Sequence, residues 1–444
     1  MTMSLKKSVA IVGAAAMLVS IAACGGSSSS GDASDNGGEV TLNVWGWEPT
    51  LKQANAAFEK KYPNIKIKWN NTGTADDTVT GLNNAIQAGS GIPDVVQLEY
   101  MTVPQYVIGD SQLSDLKDKT SGYKNFYTPG TWNSVNVGDG VYALPMDSGP
   151  QAMFYNKATF DKAGISEAPK TWDEFYQDAK KIRALGDDYY ITADAGDSKV
   201  MNAFLWQAGA EPYKSNGENV TINFKSDPQV KTVAEFWQKL IDEDLINTKV
   251  ATWADEWNRG IGDGTIAAIF EGAWMPANLV SNSPQASGNM RVALQPNWDA
   301  SKPSNGENGG SAIAVTKASK LQDAAWKYIN FVCHDKTGIK ARTSGGAFPA
   351  DKATMKSEEF LKGSDEVTKY FGGQEYNKVL AQASEQVTNE YQFLPFMGQA
   401  NSIYTDYLGD AYVKKSTTLE KGFAKFQDAL AKYGKEQGFT VKES

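Results

Sequence analysis

The side chains in this sequence best suited to chemistry are carboxylates and indoles. Glu48, Glu99, Asp147 and Glu271 stand at the ends of strand-like or apolar segments. In open parallel sheets, ligands gather outside the carboxyl ends of the strands. Two such acids flanking a glycosidic bond would serve a hydrolase, and the same acids accepting hydroxyl hydrogen bonds would serve a receptor. Trp45, Trp47, Tyr100, Trp253, Trp257 and Trp274 lie beside Gly, Pro, Asp or Glu, whereas Trp237 and Trp326 fall on helical apolar faces and belong to a core. An indole matches the apolar C–H face of a pyranose ring, whose hydroxyl rim needs carboxylate, amide and backbone partners. Aromatic plus acid points to a sugar, or to a protonated amine held by cation–π contact.

Other chemistries find no support. No segment reads G-x-x-x-x-G-K-[ST], G-x-S-x-G or H-E-x-x-H. Gly260-Ile261-Gly262-Asp263-Gly264 lacks the third glycine at dinucleotide spacing and follows Trp257-Asn258-Arg259 instead of a strand, so it reads as a turn. His334 is the one histidine and only the adjacent Cys333 could join it, which argues against a zinc centre. Neighbouring helical side chains diverge by about 100°, so a thiolate–imidazole couple is disfavoured there; a buried Cys333 beside a surface His334 is expected. With 43 Lys and Arg against 52 Asp and Glu, a net charge of -9 and no basic stripe, nucleic acid is excluded as a main partner. No cofactor and no metal is called for.

These residues need elements to position them, and 444 residues suffice for two ordinary domains. Lys6-Lys7, the apolar run Val9 to Ala23 and then Cys24 make residues 1–23 a signal peptide. Ser20-Ile21-Ala22-Ala23-Cys24 resembles a lipobox, which implies lipidation at Cys24; residues 24–39, rich in Gly, Ser and Asp, would be a flexible tether. Val40 to Trp45 alternates as a strand, Leu51, Ala54, Phe58 and Tyr62 recur at helical spacing, and Ile65, Ile67 and Trp69 alternate again. A helix from Val79 to Ala88 and a strand from Asp94 to Leu98 extend this β-α-β pattern, which implies a mostly parallel sheet covered by helices. Ala152 to Tyr155, Ile266 to Phe270 and Ala312 to Val315 read as strands. Helices are expected from Thr171, where Glu174 completes a capping box, and around Val230–Asp244, Leu321–Val332 and Thr417–Tyr433. The Gly/Asn/Ser-rich stretch from Ala300 to Gly310 would be a crossover.

Taken in order, several stretches resemble the extracellular solute-binding proteins of ABC sugar importers, the family that includes maltose-binding protein. They are Phe58-Glu59-Lys60-Lys61-Tyr62-Pro63-Asn64-Ile65-Lys66-Ile67, Ile92-Pro93-Asp94-Val95-Val96, Tyr155-Asn156-Lys157, Thr171-Trp172-Asp173-Glu174-Phe175, Gly264-Thr265-Ile266-Ala267-Ala268, Gly272-Ala273-Trp274, Asn308-Gly309-Gly310 and Ala347-Phe348-Pro349. The resemblance implies an α/β, two-lobed periplasmic-binding-protein-like fold, each lobe a mostly parallel sheet flanked by helices, with the ligand cleft between lobes. Lobe 1 would comprise 40–147 plus 311–370, and lobe 2 would comprise 148–310 plus 371–444. Carried onto matching positions, the cleft would be lined by Trp47, Glu48, Glu99, Tyr100, Asp147, Trp274, Gly309 and Gly310; local chemistry adds Trp253, Trp257, Gln392 and Phe393. The implied protein is a monomeric, non-enzymatic lipoprotein on the outer face of a Gram-positive-type membrane. It would bind a di- or trisaccharide, galactose-containing in one reading, by lobe closure and pass it to transmembrane permease subunits. The competing readings are an extracellular glycoside hydrolase and a receptor for a polyamine or glycerol phosphate.

Overall fold

The computed structural model describes residues 38–388 and 391–444; the expected signal peptide, Cys24 and the tether up to residue 37 lie outside them. The alternation from Val40 forms β1 (Val40–Gly46), and Leu51, Ala54 and Phe58 bury one face of α1 (Leu51–Lys61). β2 (Ile65–Asn71), α2 (Ala75–Ala88), β3 (Val95–Glu99) and the short β4 (Leu144–Pro145) complete the first run. A second run contains β5 (Gln151–Asn156), α3 (Trp172–Arg183), β6 (Thr192–Ala193), α4 (Ser198–Gln207), α5 (Pro228–Asp242), β7 (Ile246–Asn247), β8 (Ala268–Gly272) and β9 (Met290–Leu294). The chain then returns through β10 (Ser311–Val315), α6 (Gln322–Cys333) and α7 (Lys336–Thr343), and ends with α8 (Met397–Gly409), α9 (Leu419–Glu436) and a short terminal strand. Gly260–Asp263 is not the expected turn. It is the last turn of a helix spanning Asp255–Asp263, which stops where Gly264 takes φ +80°.

Two sheets organise these elements. The first has the order β2-β1-β3-β10-β4, parallel at β2-β1-β3, with β10 antiparallel to both of its neighbours. The second places β5 between β8 and β9, antiparallel to both. A parallel bridge from Tyr190 to Ile266 and the parallel β6–β7 pair extend it past β8. Each sheet is therefore mostly parallel with one reversed strand. The reversed strands, β10 and β5, are those entered after the chain passes from one sheet to the other. A strand fed from the far body enters at the end opposite to strands fed by local helices, so its direction is inverted.

The two passages lie side by side. Gln151 N–H donates to the Gly306 carbonyl at 3.0 Å and Asn308 N–H to the Gly149 carbonyl at 2.8 Å, forming a short antiparallel pair. A third strand-like contact, Asp147 with Pro349, lies alongside. Each sheet is covered on both faces. Leu42, Val44, Phe58, Tyr328 and Ile329 fill one face of the first, and Leu98, Tyr127 and Trp132 the other. Met153, Trp172, Phe204, Trp237 and Phe270 pack one face of the second. Phe154 and Met290 pack the opposite face together with Phe348, Met355, Phe360, Tyr370 and Leu380. Cys333 is buried, and the half-buried His334 stacks on Tyr123 at 3.9 Å. Among the described residues no helix is long and apolar enough to cross a membrane.

The capping box read from Thr171 and Glu174 is present in full: Thr171 Oγ1 accepts from Glu174 N–H at 3.2 Å, while the Glu174 carboxylate accepts from Thr171 N–H. Thr171→Ala is expected to lower stability by about 1 kcal/mol. A chemical-denaturation midpoint unchanged from the parent would show that the cap is dispensable.

Candidate ligand-binding site

The turn after β1 and the start of β10 meet through Gln97 on β3. Its Oε1 accepts from the backbone N–H groups of Trp47 and Glu48 at 3.0 and 3.2 Å, and its Nε2 donates to Ser311 Oγ at 3.0 Å. Ser311 donates in turn, from N–H and Oγ, to the Asp147 carboxylate at 2.5 and 3.0 Å. Tyr100 Oη donates to the Asp147 carbonyl at 2.6 Å, and Tyr100 N–H donates to the Gly310 carbonyl at 3.2 Å. Underneath lies Arg342, only 2% exposed, with Nη2 on Glu48 Oε2 at 2.9 Å and Nη1 on the Met146 carbonyl at 2.5 Å. Thus Glu48, Tyr100, Asp147 and Gly310 are brought together, as expected, but their polar atoms are largely taken up by one another and by Arg342, Ser311 and Thr50.

Burial shapes the electrostatics here. Asp147 is pushed well above the usual carboxylate range by desolvation, then by the neighbouring Glu48, while Arg342 and the Ser311 donors pull it back. Glu307, on the second passage, accepts from Ser148 Oγ at 2.8 Å and is raised by burial to about 7. Glu271 at the end of β8 accepts from Asn308 Nδ2 at 2.9 Å and is raised well above its ordinary value, first by burial and then by Asp197.

The aromatic residues separate into platform and support. Trp274 donates from Nε1 to the Asn308 carbonyl at 2.9 Å, and its ring stacks on Trp253 at 5.8 Å with an interplanar angle of 26°. Trp253 is 44% exposed, unusual for so large an apolar side chain, and its φ of +71° is rare for a bulky residue. Ala254 N–H closes a turn on the Ala251 carbonyl at 3.2 Å, so Trp253 holds a position that usually takes glycine. Such strain, about 1–3 kcal/mol, persists only where surrounding structure enforces it, and it clusters at ligand clamps.

Trp257 corrects an expectation. It is 1% exposed within the second core and backs Trp253 at 5.3 Å, so it supports the platform and does not face a ligand. Gln392 is corrected too: it lies at the surface, where its Oε1 accepts from Ser215 N–H at 2.8 Å. Phe393 packs edge-on against Trp206 and Tyr391, and it lines a small cavity with Tyr100, Glu307, Gly309 and Gly310. Gly309 and Gly310 take φ +75° and +90°, and a Cβ would stand 3.1 Å from Trp274 Nε1 or 2.8 Å from the Tyr100 ring. Their smallness admits these two aromatic rings, whereas they were expected to line the ligand cleft.

A larger cavity, about 890 Å³, opens beside Trp253 and is lined by Asp76, Asp197, Lys199, Gln399 and Asn401 among others. Its size suits a small ligand, and it combines an exposed indole with polar groups from α2, α4 and α8. Glu99 approaches it from β3, bound to Lys199 Nζ at 3.1 Å. Sequence reading missed Asp197, Lys199, Glu307 and all of α8. Asp197 and Lys199 sit at the start of a helix preceded only by the two-residue β6, too short to carry an alternation, and α8 has no conspicuous amphipathic signal, so nothing local distinguished them.

Comparison with known proteins matches residues 46–337 to the model of the bacterial extracellular solute-binding protein family. The chain is 50% identical to an ABC transporter associated binding protein from B. animalis subsp. lactis Bl-04, solved in complex with β-1,6-galactobiose. That match has a TM-score of 0.82 and covers 91% of this chain and 99% of the other. A galacto-N-biose-/lacto-N-biose I-binding protein from Bifidobacterium longum, in complex with lacto-N-biose, is 26% identical at TM-score 0.78, covering 92% and 100%. The arabinooligosaccharide-binding protein of Bacillus subtilis (strain 168) is 24% identical over 90% of this chain and 92% of its own length.

Two outcomes follow from the buried charges. Arg342→Met leaves Glu48 and Asp147 without their cation and is expected to cost about 3 kcal/mol or more, read by chemical denaturation; a loss below about 1 kcal/mol would remove Arg342 as their anchor. Burial keeps Glu307 protonated to about pH 7, whereas an unfolded glutamate loses its proton near about 4.3. The folded state binds the extra proton across that window, so this residue makes stability fall as pH rises from about 4 to about 7. Glu307→Gln, which keeps an acceptor for Ser148, should gain stability relative to the parent as pH rises from about 4 to about 7; parallel pH curves would refute the assignment.

Proposed function

The chain belongs to the bacterial extracellular solute-binding protein family, and from that membership we propose that it is the oligosaccharide receptor of an ABC importer, with a galactose-containing disaccharide as its preferred ligand. The observation that carries the ligand class is the 50% identity, spread over 91% of the chain, to a protein solved with β-1,6-galactobiose. The exposed Trp253, stacked on the half-buried Trp274, supports it, since an indole offers an apolar face to a pyranose ring while the acid- and amide-lined cavity beside Trp253 offers partners to hydroxyls. Phosphate esters fit less well. Lys199 is the basic side chain lining that cavity, and it is already paired with Glu99.

The mechanism we propose is closure of two lobes about the hydrogen-bonded passages at 146–150 and 305–310, with ligand stabilising the closed state by its higher affinity for it. The lobes would comprise 40–147 with the stretch from 311 to about 347, and 148–310 with the remainder. The packing of Met355, Phe360 and Tyr370 against the second sheet supports a return crossing ahead of the expected residue 370. Lipidation at Cys24 would hold the receptor at the outer membrane face as a monomer, from which it delivers sugar to permease subunits. The two similar solved structures are binding proteins of ABC transporters, which favours release of ligand intact over hydrolysis.

Isothermal titration with β-1,6-galactobiose is expected to give micromolar or tighter binding, about -8 kcal/mol or better. Chromatography of the recovered ligand should find it uncleaved; galactose in its place would favour the hydrolase. Trp253→Ala and Trp274→Ala should each lose about 2 kcal/mol or more of binding while melting near the parent temperature. Full affinity in both variants would take the platform away. A Cys24→Ser variant should leave the membrane fraction, and its retention there would exclude lipid anchoring at this position.

A further inference from the structure

We propose that the turn following β3 is a direct catch between the two halves of the fold, engaged without ligand, in which Lys199 is the positioning residue. Two consecutive features of this turn reach across. Glu99, the last residue of β3 in the first sheet, holds Lys199 Nζ at 3.1 Å, and Lys199 belongs to α4, whose Met201, Phe204 and Leu205 are buried in the second sheet's core. Asp76, in the first turn of α2, adds a second carboxylate at 3.8 Å. Two residues beyond Glu99, the Met101 side chain is buried in that same second core, and its sulfur accepts from Asn401 Nδ2 on α8 at 3.3 Å.

Between the two contacts stands Tyr100, tied by its hydroxyl to the Asp147 carbonyl and by its backbone to Gly310, both on the passages that connect the halves. The turn is thus anchored at the hinge and at the far lobe at once. An ion pair contributes little when fully exposed, but Glu99 is 13% and Lys199 27% exposed, so water screens this one less. The assignment gives the Glu99 Oε1 and the Tyr100 hydroxyl a role other than meeting a ligand hydroxyl: they join the turn to the far half and to the passages. A receptor built so starts with part of its population already closed, and a ligand then supplies less of the closing free energy. The inference rests on the reading of two lobes that close, but its test needs no sugar.

Spin labels on the full chain at Lys68→Cys and Lys231→Cys, exposed positions on the first and second halves, would report the distance distribution in the absence of ligand by double electron–electron resonance. The parent is expected to show a substantial short-distance population. Lys199→Met should shrink its ratio to the long-distance population about fivefold, as should Glu99→Gln from the other side, while Lys199→Arg restores it. Added salt should act like Lys199→Met. A parent that is wholly open, or a Lys199→Met distribution identical to the parent, overturns the catch. So does a variant that loses affinity for β-1,6-galactobiose with an unchanged ligand-free distribution, since Lys199 would then act on the ligand itself. If no sugar in a panel binds at all, the oligosaccharide reading fails while the ligand-free distances still decide the catch.

Discussion

A guanidinium almost sealed from water must be paired, and the pairing of Arg342 organises the centre of this protein. Its Nη2 holds Glu48 at the end of the first strand, and its Nη1 holds the Met146 carbonyl where the chain leaves the first sheet. Without it, Glu48 and Asp147 would be two carboxylates sharing a dry space, an arrangement whose desolvation and repulsion cost several kcal/mol. With it, the turn after β1, the first passage and the start of β10 are fixed relative to one another. Everything that a cleft requires is hung from that point: Gln97 and Ser311 relay it to the backbone of Trp47, and Tyr100 relays it to Gly310.

The passages themselves lie side by side. They are hydrogen-bonded to each other over a few residues and carry two buried acids, Asp147 and Glu307, each raised by burial to about 7. Burial penalises the ionised form of each, and the donors beside them, Ser311 on Asp147 and Ser148 on Glu307, offset part of that cost. Gly309 and Gly310 let the second passage turn sharply under Tyr100 and Trp274, with no Cβ to hold the rings apart. The strained Trp253 then completes a surface that is apolar, exposed and flat beside a polar cavity, a combination of little use to folding and well matched to carbohydrate.

Much of this architecture was legible in the chain. Period-two alternation marked β1 and β2, helical spacing marked α1 and α5, and Thr171 with Glu174 marked the start of α3, because each signal lies within one element and depends on neighbouring residues alone. Motif order identified the family, and with it the two-lobed plan. Glu48, Asp147, Tyr100 and Trp274 were placed at the centre for the same reason, as they terminate strands or flank the passages.

What the chain alone could not decide is which of those groups are left free. Glu48 was indistinguishable from a hydroxyl acceptor until Arg342, 294 positions away, claimed it. Trp253 and Trp257 looked alike, four residues apart, yet one is exposed at the cavity and the other is sealed in the core. Lys199 and the helix Met397–Gly409 entered the site with no local sign. Local periodicity and motif determine elements and family because they act between near neighbours. Exposure, pairing and protonation are set by residues distant in sequence and adjacent only after folding, so tertiary structure alone decided them.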